Sequence, residues 1–130
     1  MDVWRAVIVL ATACGSRPVT NTPPEATRLW IGGDVFLGAG GHHALSSIPA
    51  IVGGAPGIVN LEGPVGASAT GDLDPSHPRL IHDASALAEL RAAGVIVAGI
   101  ANNHAHDAGP DGDTATVRAL AAVDIHAAGG

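Results

Sequence analysis

The sequence predicts an α/β fold, a sheet with helices packed against it. Three observations carry this. Short apolar runs alternate with segments of helical character, in the order strand, helix, strand, helix, strand, helix, strand. Glycine or proline punctuates the runs. Polar residues come directly after three of the strands, at Asp34, Glu62 and Asn103-His104. In sheets of this class, ligands bind outside the carboxyl ends of the strands.

Residues 28–33 form a short apolar run ending in glycines and read as the first strand, with Asp34 at its end. Residues 43–52 read as a helix interrupted by Pro49. Residues 57–61 are a second strand, closed by Glu62 and broken by Gly63-Pro64. Residues 65–79 carry Gly, Ser, Thr, Asp and Pro and read as a long loop, a kind of segment that often serves function. Asp83 or Ser85 can cap the next helix, Leu87 and Leu90 continue it, and Gly94 stops it. Residues 95–98 are an apolar strand of the buried kind, with a polar loop after it over 99–107. Residues 112–122 form another helix, and 123–127 begin a further strand.

The residue types at the strand ends suit a metal ion. Asp34 and Glu62 are hard oxygen ligands, Asn103 offers an amide oxygen and His104 an imidazole nitrogen. Such a mixed set matches Mn, Zn, Fe or Mg better than copper or an iron–sulfur cluster. Two carboxylates aimed at one spot repel each other, and a divalent cation removes that cost. Two ions about 3.5–4 Å apart can clamp a phosphoryl group and activate water. Each residue also has a plainer reading. Asp34 stands after a Gly-Gly turn, Glu62 closes a strand, and Asn102-Asn103 can cap the next turn. His104 and His106 share one side of an extended backbone, a weak signal alone. The adjacent His42 and His43 point apart, and His77, His82 and His126 show no recognisable pattern.

The first residues read as an address. Residues 6–13 are apolar and too short to span a bilayer, which takes about 20 apolar residues, but suit the core of a secretory signal. Small residues Ala11, Thr12 and Ala13 precede Cys14, in the manner of a bacterial lipobox whose cysteine is lipidated. Residues 1–14 are therefore read as a lipoprotein-type signal and 15–27 as a Pro-rich tether. An ordinary cleaved signal, or a buried strand with an incidental Cys, is the alternative. These features imply export and a lipid anchor in the membrane on its extracytoplasmic side. The net charge of −6 without basic clusters excludes nucleic acid as a partner. A single Cys excludes an internal disulfide and a Cys-rich zinc site. With two Trp, one Phe and no Tyr against 18 Gly, the core must be filled mostly by Ala and Val.

Three blocks resemble those of the CapA-type capsule synthesis proteins. Gly33-Asp34 with Leu37-Gly38 resembles their opening block. Asn60-Leu61-Glu62-Gly63-Pro64 resembles the second, and Ala101-Asn102-Asn103-His104-Ala105 with Asp107 and Gly109 the third. Thr116, Leu120 and the closing Ala128-Gly129-Gly130 resemble the family's positions after that third block. The likeness spans residues 28–130 in order and spacing, with Ala39 where the family usually has Arg and His106 where it usually has an aliphatic residue.

The resemblance implies part of a calcineurin-like metallophosphatase fold, an α/β/β/α sandwich, of which this chain carries the first strand–helix repeats. It implies metal-ligand roles for Asp34, Glu62, Asn103 and His104, with Glu62 bridging two metals and His104 beside the substrate oxygen as the catalytic residue. It implies a role in making or exporting poly-γ-glutamate, with envelope polymer synthesis or export proteins as partners. The family domain is roughly twice as long, so the resemblance implies an incomplete metal site here. The chain is then a phosphoesterase-like hydrolase only when completed, and otherwise a non-catalytic envelope accessory or an inactive fragment.

Overall fold

The computed structural model describes residues 28–40, 43–66, 70–72, 76 and 78–130. The signal and tether readings, with Cys14, fall outside the described residues. In chain order the elements are β1 (Trp30–Val35), α1 (Ile48–Val52), β2 (Gly57–Leu61), β3 (Val65–Gly66), β4 (Thr70–Asp72), β5 (Arg79–Asp83), a 3₁₀ turn (Ala84–Ala86), α2 (Leu87–Ala92), β6 (Val95–Gly99), α3 (Gly112–Ala121) and β7 (His126–Ala128). Strands β1, β2, β6 and β7 form one sheet in that order, and every neighbouring pair is parallel. The expected α/β architecture is therefore present. A smaller sheet, ordered β3-β5-β4, stands beside it.

Three segments depart from the sequence reading. The helix expected over 43–52 is confined to Ile48–Val52, with turns before it. Pro49 sits in the first helical turn, where a missing N–H costs nothing, and Gly53 ends the helix in a left-handed conformation. The loop expected over 65–79 contains β3 and β4 and leads into β5. The strands there are short and draw their order from pairing with β5, which no local pattern announces. Residues 123–124 form a turn rather than strand and β7 begins only at His126, although Ile125 is buried. The expected cap at Asp83 falls on the 3₁₀ turn that leads into α2, where its carboxylate accepts the Ser85 N–H at 2.8 Å, and α2 itself has no side-chain cap.

The core lies on one side of the large sheet. Val59, Leu61, Val95 and Ala98 from the strands pack with Leu87, Leu90, Leu120 and Ile125. Thr116 is a buried polar residue beside them: its hydroxyl accepts the Val65 N–H at 2.9 Å and donates to the Gly112 carbonyl at 2.7 Å, tying α3 to β3. The strand order advances in one direction only, so right-handed crossovers send every connection over the same face. The opposite face carries Ile31, Ile58 and Val97, paired across three strands. Ile31 is 77% exposed there, while Ile58 and Val97 are half-buried.

One irregularity matters for the site. Ile31 pairs with Ile58 and Asp34 with Asn60, so β1 holds one more residue than β2 over that interval. Gly32 and Gly33 absorb the extra residue as a bulge. In unbroken register Asp34 would stand opposite Leu61 and face the core. The bulge puts it opposite Asn60, on the other face.

Candidate functional site

The carboxyl ends of β1, β2 and β6 bring together Asp34, Asn60, Glu62, Asn102 and His104. The Asn60 amide nitrogen donates to Asp34 Oδ1 at 2.8 Å and to Glu62 Oε2 at 2.7 Å. Both carboxylates thus share one neutral donor. Glu62 presents its other oxygen, Oε1, to His104 Nε2 at 3.9 Å. His104 Nδ1 lies 2.8 Å from Asp107 Oδ2. A carboxylate only accepts, so Nδ1 carries the proton, and in the neutral ring Nε2 presents its lone pair toward Glu62.

The loop after β6 is fixed by Asn102. Its amide nitrogen donates to the Leu61 carbonyl at 2.8 Å and to Asn60 Oδ1 at 3.3 Å. Its oxygen accepts the N–H groups of Gly63 at 3.3 Å and His104 at 3.1 Å. The capping reading of this residue therefore describes its bond to His104 N. Asn103, expected as the ligand, is exposed in the same turn. His106 is exposed as well and lies 3.7 Å from Asp113, away from Glu62.

Asp107 fastens the loop to the smaller sheet. Its carboxylate accepts the Leu80 N–H at 2.6 Å, and its carbonyl accepts from the Arg79 guanidinium. Gly63 allows β5 to pass this close: its φ is +96°, and a Cβ there would lie 2.1 Å from the Leu80 carbonyl oxygen. His82 supports the site from below. It is fully buried, with Nε2 donating to the Glu62 carbonyl at 3.1 Å and Nδ1 accepting from Leu37 N at 3.4 Å. Burial lowers its pKa, against the smaller raising effect of the bond to Glu62, and keeps the ring neutral.

Sequence reasoning missed Asn60, Asn102, Asp107 and His82 as structural members of this site. Asn60 stands two residues before Glu62, on the same side of a strand, and that spacing is its available signal. His82 has none, because its partners come from residues 20 and 45 positions away.

The donor set can be measured against a divalent cation. Ligand atoms stand about 2.0–2.2 Å from such an ion, so two of them can be separated by at most about twice that. The 3.9 Å between Glu62 Oε1 and His104 Nε2 is too long for a hydrogen bond and falls within that span. Asp34 stands across Asn60 from Glu62. Among the described residues no three His, Cys, Asp or Glu side chains form a ready-made ion-holding group. The fit is thus to a paired carboxylate and imidazole, with Asp34 adjacent.

No curated protein matches the chain. The model of the bacterial capsule synthesis proteins, PGA_cap, matches residues 29–130, which takes in every residue of the cluster around Asn60 and His104. The chain therefore belongs to the bacterial capsule synthesis protein family PGA_cap.

Proposed function

We propose that this capsule synthesis protein holds a divalent cation, Mn, Zn, Fe or Mg, at the carboxyl end of its sheet, and acts at the cell envelope in making or exporting poly-γ-glutamate. The observation that supports the cation most is the 3.9 Å separation of Glu62 Oε1 and His104 Nε2 beside a second carboxylate. Glu62 and His104 would hold the ion, with Asp34, and Asn103 from its exposed turn, as further ligands. When bound, the ion supplies Lewis-acid chemistry suited to a phosphoryl oxygen or a water molecule. The chain's own residues do the rest. Asp107 keeps the proton of His104 on Nδ1, and Asn102 fixes the loop that carries the imidazole. The lipobox-like run ending at Cys14 supports export and a lipid anchor, which would place this work on the outer side of the membrane among polymer synthesis or export proteins.

A non-catalytic accessory role is the second reading, and the lack of a ready-made three-ligand group among the described residues favours it. Calorimetric titration of the purified chain with Mn²⁺, beside Asp34→Ala and His104→Ala, tests the cation. Saturable binding that both variants weaken is expected, and no binding by the wild type ends this reading. A generic phosphoester assay on the same samples separates the two roles. This chain alone is expected to show no turnover, and robust hydrolysis lost in both variants would favour the enzyme.

A further inference from the structure

We propose that Asn60 is a positioning residue: it decides which oxygens of Asp34 and Glu62 remain for a cation. The inference rests on the cation reading above and concerns a residue outside its ligand set. Carboxylates accept and do not donate, so the Asn60 group facing Asp34 Oδ1 and Glu62 Oε2 must be its NH₂. Its carbonyl is then turned toward Asn102, which must donate. The orientation of Asn102 is fixed in the same way, because its oxygen takes the N–H groups of Gly63 and His104 while its nitrogen serves the Leu61 carbonyl. Neither amide can turn over without setting donor against donor. The chain of amides therefore has one polarity, running from the backbone of the His104 loop to the two carboxylates.

The consequence is an assignment of oxygens. Asn60 engages one oxygen of each carboxylate. The oxygen it leaves on Glu62 is Oε1, the one that faces His104 Nε2. Strand register supports the arrangement, since the β1 bulge is what places Asp34 opposite Asn60. Groups that orient ligands in this way typically change metal affinity by about 10–100-fold when removed.

The test uses the full chain, with Mn²⁺ as probe. Asn60→Leu keeps the size of the side chain and removes both N–H donors; Asn60→Ala removes them without bulk and is read if the leucine variant does not fold. Calorimetry gives the affinity, the melting temperature in chelator gives the fold, and the Mn²⁺ paramagnetic resonance spectrum gives the coordination. The expected result is affinity lower by about 10–100-fold, an altered spectrum, and a cation-free melting temperature within a few degrees of wild type. Binding by wild type that the variants leave within about twofold, with the same spectrum, overturns the role of Asn60 and leaves the cation reading standing. A loss of affinity that only tracks a collapsed melting temperature also overturns it. No binding by wild type overturns both.

Discussion

The two faces of the large sheet use the same kinds of residue to different ends. On the packed face, Val59, Leu61 and Ala98 are closed off by α2, α3 and Ile125. On the other face, Ile31, Ile58 and Val97 stand in register with one another, with no helix of the described residues among the core partners packed there, and the strands end in Asp34, Asn60 and Glu62. The packed side holds the core, and the other side carries the polar cluster proposed to hold a cation. One extra glycine in β1 assigns Asp34 to the second. Parallel sheets are ordinarily covered on both faces, which makes the 77% exposure of Ile31 among the described residues informative.

The largest effect separating the faces is expected at Leu90. It is fully buried among the core residues. Leu90→Ala removes that packing and leaves a cavity, at a cost of about 2–5 kcal/mol. The shift of the urea midpoint measures it. A loss below about 1 kcal/mol would mean that the packed face is not packed in solution.

Gly63→Ala should come next, because it joins the two regions. The substitution forces a side chain into a left-handed backbone and against the Leu80 carbonyl. Strain of this kind costs on the order of 1–3 kcal/mol before the clash is counted. Melting temperature reads the stability. Exchange of the Leu80 amide at the wild-type rate would show that β5 stays docked on Asp107, against expectation.

How much of this was legible beforehand differs between the two regions. The strands β1, β2 and β6 announce themselves as apolar runs with glycine stops, and Glu62 and His104 come soon after them. The open face was not legible, because coverage depends on the order of strands in space and on crossover hand. Nor was the structural role of Asn102 beside Asn103. Both stand in one dipeptide, and only the turn geometry decides which amide reaches Leu61 and Asn60. The strands inside 65–79 escaped for the same reason, since their order comes from β5 and not from their own residues.

Acid should act through the buried imidazole beneath the site. His82 has a lowered pKa because burial disfavours its charged form. Its ordinary value is 6.5, so between that value and the lower one of the folded state, the unfolded chain binds the extra proton. Its contribution to stability is therefore complete above about pH 6.5 and is lost progressively as pH falls below it. Urea midpoints at pH 8 and pH 5 should differ in that direction. His82→Gln should lower stability at pH 8 and flatten the acid slope. An unchanged slope would mean that other groups carry it.

The smallest effect should be at Ile31. At 77% exposure its side chain has little packing to lose, and threonine suits a strand as well as isoleucine does. Ile31→Thr should change stability by less than about 0.5 kcal/mol. Val59→Thr is the matched control on the packed face, where a buried hydroxyl without a partner costs about 1–3 kcal/mol. The two substitutions differ mainly in the face they occupy, so their ratio in urea midpoints measures the asymmetry directly. Equal losses at both positions would mean that the Ile31 face is covered in solution. A concentration dependence of the Ile31→Thr midpoint would then distinguish cover by a second copy from cover by residues of the same chain.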